Sequence, residues 1–124
     1  MDITPFVPAG RQVIEGYGDL GFTISGRHWS GSVLVWPDRT LAWPVTALAE
    51  LTLAALAEVV AATPPPDILL LGCGRQMGMV PRDIRAALRA SGTVIEPMDT
   101  GAACRTFNVL LPEDRRVAAA LIAV

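Results

Sequence analysis

Three consecutive prolines, Pro64-Pro65-Pro66, lead through Asp67 into Ile68-Leu69-Leu70-Leu71 and then into Gly72-Cys73-Gly74. This arrangement leaves few folds open. Proline ends whatever precedes it, because its ring clashes with the preceding turn and it has no N–H to donate. The four apolar residues show no alternation of polar and apolar positions, so the strand they form must be covered on both faces, as parallel strands are in layered α/β domains. The glycines then turn the chain. Pro81 suits the first turn of a helix over 81–90, Ser91-Gly92 ends it, and 93–98 reads as the next strand. Strand, helix and strand in this order predict a βαβ unit with a right-handed crossover. Asp99 or Thr100 caps a further helix over 101–111, and 116–124 reads as a last strand.

Upstream of the prolines the texture differs. Residues 1–10 hold two prolines and little periodicity, which predicts an extended arm lying on the domain. Residues 11–17 alternate as a strand, Gly18-Asp19 marks a turn, and 21–25 and 30–36 read as a second and a third strand. Leu41-Ala42-Trp43 is a short extended piece after the turn at Pro37. The first third is therefore expected to be a β-hairpin layer. Thr46 then caps a predicted helix over 47–62, with Leu48, Leu51, Ala55, Leu56 and Val59 on one broad face and Glu50 and Glu58 on the wet side. The whole predicts an α/β domain over 1–124, with a mixed central sheet carrying strands near 68–72, 93–98 and 116–123.

Composition narrows the function. Hydrophobic residues at 52% and charged residues at 18% argue against a disordered chain. A net charge of −2 argues against a nucleic-acid partner, which usually requires a basic face. All ten basic residues are arginine, so neither a Schiff-base lysine nor a P-loop lysine exists. Cys73, Cys104 and His28 are too few for a structural zinc site, and no metal is expected. The opening residues lack the basic and apolar regions of a signal peptide. The stretch 47–62 is too short and too charged to span a membrane. The expected setting is a reducing cytoplasm, with both thiols free.

The loop Gly72-Cys73-Gly74-Arg75 raises the question of a cofactor. A methyl-donor loop wants a third glycine where Gln76 stands, and a dinucleotide fingerprint wants one at Met77. Gly78 comes one place late and Pro81 delays the helix. A tight corner is expected, with no bound cofactor. Cys73 reads as a half-buried thiol that Arg75 would stabilise if it ionised. Cys104 shares a helical stripe with Phe107 and Leu111 and reads as core. His28 reads as a surface hairpin residue between strands. Asp99-Thr100-Gly101 joins a parallel strand end to a helix start, where open α/β sheets place ligands and where free N–H groups attract anions. Gly72, Cys73, Gly74, Arg75, Asp99, Thr100, Gly101 and Arg105 therefore form the candidate anion or ligand cleft, unless Asp99 simply caps its own helix. Asn108, polar within an apolar stripe, is expected to tie its helix to a neighbouring loop or strand. Arg116 is expected to pair with Glu113 or Asp114.

The tail MDTGAACRTFNVLLPEDRRVAAALI, residues 98–122, carries Thr100, Ala103, Arg105, Thr106, Asn108, Leu110, Glu113, Arg116 and Val117. Ile14-Glu15-Gly16-Tyr17-Gly18, Phe22-Thr23-Ile24, Gly31-Ser32-Val33-Leu34-Val35, Trp43 and the pattern at 70–74 precede it in order. This ordered set resembles the family of mitochondrial complex I assembly factor 3 and its bacterial relatives, also known as the adipogenesis-associated domain proteins. The resemblance implies a three-layer α/β fold with a central mixed sheet and helices on both faces. It implies no established enzymatic activity, and it implies partners in complex I assembly or membrane-protein biogenesis. One histidine, no lysine and no paired carboxylates at the cleft point the same way, to binding over catalysis. The expected function is that of a non-catalytic protein acting through protein contacts in assembly of a membrane or respiratory complex. The alternative is a small-ligand or anion-binding module or enzyme using the cleft between the 72–74 loop and the 99–101 helix start.

Overall fold

The computed structural model describes residues 11–113 and 115–124, so the arm expected over 1–10 lies outside the described residues. Three strands, β1 (Ile14–Gly18), β2 (Gly21–Ile24) and β3 (Arg27–Ser30), form an antiparallel sheet in that order. The second sheet holds β4 (Val33–Val35), β5 (Thr40–Ala42), β6 (Ile68–Gly72), β7 (Val94–Met98) and β8 (Val117–Leu121). Its order is β5-β4-β8-β6-β7. β8, β6 and β7 run parallel, while β4 lies antiparallel to both β8 and β5.

Strands β6 and β8 meet the demand for cover on both faces. Their side chains alternate between two apolar clusters. Leu69, Leu71, Ala118 and Ala120 face one side with Ile84 and Leu88 of α2 (Arg82–Ala90) and with Trp36, Trp43, Leu51, Leu56 and Val59. Leu70, Val117, Ala119 and Leu121 face the other side. There they meet Ala103, Cys104, Phe107 and Leu111 from α3 (Thr100–Leu110) and its C-terminal end, together with Ile14, Phe22 and Ile24 of the small sheet. The mixed sheet, the helices on both faces and the additional N-terminal hairpin layer follow the expectation. The three alanines of β8 keep the centre of the sheet thin enough for both layers to pack closely.

Three expectations need correction. Residues 47–62 do not form one helix. They form a 3-10 turn at Leu48–Glu50, another at Ala54–Leu56, and the four-residue α1 (Ala57–Val60). Leu51 is extended between them and buried. Local side chains compete with the helix: the Thr52 hydroxyl accepts from the Ala55 N–H at 3.1 Å, and the Glu50 carboxylate accepts from the N–H and hydroxyl of Thr46. The Trp43 indole N–H takes the Ala55 carbonyl at 2.8 Å. The strand expected over 30–36 is split at Gly31, which has φ +86°. The chain changes sheets there, and His28 is an exposed hairpin residue as expected, now within β3. Arg116 pairs with Asp67 at 3.2 Å and donates to the Pro65 carbonyl at 3.1 Å, which pins the start of β6; among the described residues it does not pair with Glu113, and the alternative partner Asp114 lies outside them.

Candidate functional site

The parallel strands deliver Gly72, Met98 and Leu121 to one end of the sheet, in register with each other. Beyond Gly72 the chain stays paired for two more residues. The Cys73 N–H donates to the Met98 carbonyl and the Thr100 N–H to the Gly74 carbonyl, both at 2.8 Å. Thr100 sits at the centre. Its buried hydroxyl accepts from the Gly74 N–H at 2.9 Å and donates to the Ile122 carbonyl at 2.7 Å. One side chain thereby links the segments that follow β6, β7 and β8. Gly72 has no room for a side chain: a Cβ there would stand 3.0 Å from both the Cα and the hydroxyl oxygen of Thr100. Gly74 turns away at φ +105°, a conformation glycine takes without strain.

The start of α3 is served in the same way. The Asp99 carboxylate accepts from the Ala102 N–H at 2.8 Å, so the helix carries its own anion at its positive end. Beside it, Arg105 donates to the Tyr17 hydroxyl at 3.0 Å. A side chain on Gly101 would collide with that hydroxyl, so glycine lets β1 approach the helix start. An open hollow of about 450 Å³ remains, with Tyr17, Gly74, Arg75, Asp99 and Gly101 around it. Of the eight expected cleft residues, Gly74, Arg75, Asp99 and Gly101 line this hollow, while Cys73 is buried in the core. Gly72, Gly74 and Thr100 build the corner, Asp99 caps the helix, and Arg75 is exposed beside it.

Of the two thiols, Cys73 is buried rather than half-buried, packed in the apolar cluster with its sulfur 3.7 Å from the Leu71 carbonyl. Cys104 is fully buried as expected, and burial pushes its thiol up to about 12. That thiol stays protonated and unreactive in the folded protein. Asn108 ties α3 to a strand, as expected. Its oxygen accepts from the Ile14 N–H at 3.0 Å and its amide donates to the Ile14 carbonyl at 2.8 Å. Sequence reasoning missed the loop beyond Arg75, where Met77 and Met79 stand 67% and 89% exposed. The available signal was two long apolar side chains flanking Gly78 in a segment of turn residues.

A five-stranded mixed sheet with α3 and the small antiparallel sheet packed on one face and α2 on the other, closed at the parallel strand ends by hydrogen bonds of the chain itself, defines a small α/β domain. The chain belongs to the family described as "Protein of unknown function (DUF498/DUF598)", which matches residues 14–122. It is 39% identical over 115 residues to an uncharacterized protein of Rhodobacter capsulatus, covering 92% of this chain and 86% of that one. It is 36% identical over 109 residues to NADH dehydrogenase [ubiquinone] 1 alpha subcomplex assembly factor 3 of Xenopus tropicalis. That match covers 88% of this chain and 60% of the assembly factor, so the chain spans less than two thirds of that relative. The solution structure of a Bordetella pertussis protein described as an Mth938-like domain superposes with a TM-score of 0.80 at 28% identity, covering 98% of this chain and 92% of that one.

Proposed function

We propose that this protein is a non-catalytic assembly factor that works in the cytoplasm through protein–protein contacts, promoting the assembly of a membrane-bound respiratory complex. The observation that carries this reading is the 36% identity to a protein named as an NADH dehydrogenase assembly factor, sustained over 88% of the chain. The corner at Gly72–Gly74 and Thr100 supports it, because the groups a cofactor would use there already hold one another. The test is deletion of the gene in the native organism, followed by native electrophoresis of the NADH dehydrogenase. Incomplete subcomplexes that disappear on complementation are expected. A fully assembled enzyme at normal abundance in the deletion strain contradicts the proposal.

A second reading is a weak small-anion site at the same corner, favoured by Arg75, which lines the open hollow beside Asp99 and Gly101, with Arg105 held nearby on the Tyr17 hydroxyl. The Asp99 carboxylate opposes it. Sulfate titration followed by amide NMR tests it: shifts at Gly101 that fade with added chloride support the site, and unmoved amides dismiss it.

A further inference from the structure

The loop between β6 and α2 holds its two methionines outward on a fixed base. Val80 is buried in the core, and a side chain on Gly78 would collide with Leu48, so the loop packs directly on the Leu48–Glu50 turn. Met77 and Met79, the residues before and after Gly78, are both exposed. With Val80, Pro81 and Pro97 they line an open hollow of about 590 Å³, and the charged residues among its lining are Arg82 and Arg85. Methionine is unbranched and polarisable, and surfaces rich in it adapt to apolar partners of varied shape.

The neighbouring sheet edge determines what kind of segment fits. β7 is an edge strand. The Val94 N–H bonds inward to Asp67, so by alternation Ile95 and Pro97 turn their backbone groups outward. Pro97 has no N–H to offer. The Ile95 carbonyl is taken by Arg85 at 3.4 Å. Both features disfavour strand addition along this edge, and a helix laid into the hollow is the recognition mode that engages its apolar side chains and its arginines together. A flat bilayer fits less well, because the surface is concave and the chain carries a net charge of −2.

We propose that the Met77–Met79 hollow is a docking site for an amphipathic helix of a partner protein, with apolar anchors on the methionines and acidic side chains on Arg82 and Arg85. This deepens the assembly-factor reading and rests on it. The probe is a synthetic amphipathic peptide with leucines at helical spacing and glutamates on both flanks, beside a copy in which lysines replace the glutamates. The chain has four methionines, so methyl-labelled methionine gives a simple spectrum, with half-buried Met98 as internal control. The glutamate peptide is expected to shift Met77 and Met79 and to leave Met98 in place. Met79→Ser and Arg82→Glu, both at exposed positions, are expected to weaken binding about tenfold each. Arg82→Glu should also transfer preference to the lysine peptide. Unmoved Met77 and Met79 overturn the proposal. So do shifts caused by anionic phosphatidylglycerol vesicles but not by the peptide, or shifts that follow protein concentration alone, which mean a bilayer or a second copy. Incomplete NADH dehydrogenase in the deletion strain with unmoved methionines removes this docking site alone and leaves the assembly reading standing.

Discussion

Asn108 lies 94 residues from Ile14 in sequence, yet its one amide completes both backbone hydrogen bonds of that residue. The two groups it satisfies are buried, and each left unpaired costs about 1–3 kcal/mol. Asn108→Ala is therefore expected to destabilise the fold by about 2–4 kcal/mol in urea denaturation. A loss below about 0.5 kcal/mol would mean that water replaces the amide without penalty. Cys104 gives a second expectation at this scale. In the unfolded chain its thiol ionises near the ordinary value of 9.0, whereas in the folded chain burial holds the proton until about 12. Above pH 9 the unfolded state is the one that loses the proton, so this group's contribution is intact below pH 9 and declines as pH rises toward 12. With no lysine and one tyrosine, few other groups obscure the effect. Cys104→Ala should flatten the alkaline slope of stability; an unchanged slope contradicts the assignment.

Among the elements, the strand–loop–helix around Gly72 and Thr100 joins three strand ends through one hydroxyl. Thr100→Val keeps the shape and removes that hydroxyl, leaving the Gly74 N–H and the Ile122 carbonyl without it. The expected cost is about 1–3 kcal/mol, with faster hydrogen exchange at Gly74. Unaltered exchange at Gly74 would show that the corner does not depend on the bridge. The βαβ unit was legible because proline and glycine punctuate it: Pro66, Gly72, Pro81 and Gly92 bound β6, α2 and β7 closely. Residues 47–62 were not legible. Apolar residues at helical spacing also suit successive short turns wrapped over a core, and the Thr52 hydroxyl and the Trp43 indole decide between the two. The split at Gly31 was hidden for a related reason. Val33–Val35 and Arg27–Ser30 are each good strand sequence, and only tertiary pairing assigns them to different sheets.

Across the whole molecule, β8 is the strand between β4 and β6, with every residue buried. Removing residues 119–124 takes out most of it and the Ile122 carbonyl bound by Thr100. That truncation is expected to abolish cooperative unfolding; a transition within a few degrees of the parent would contradict the topology's importance. The candidate cleft was legible as a meeting of residues, because Gly72 and Asp99 had to lie at the ends of adjacent parallel strands. Hydrogen-bond direction was not legible. No pattern in the sequence says that the Thr100 hydroxyl points into the corner, or that Gly78 fixes the methionine loop on Leu48. At this corner the chain's own groups hold one another, and the expectation is that no nucleotide or methyl-donor cofactor binds there. Calorimetric titration of the purified protein with NAD, NADP, ATP and S-adenosylmethionine tests it most directly. No binding tighter than about 10 μM, near −7 kcal/mol, is predicted for any of them. A tighter affinity that disappears with Gly74→Val would contradict the account and make the loop a cofactor site.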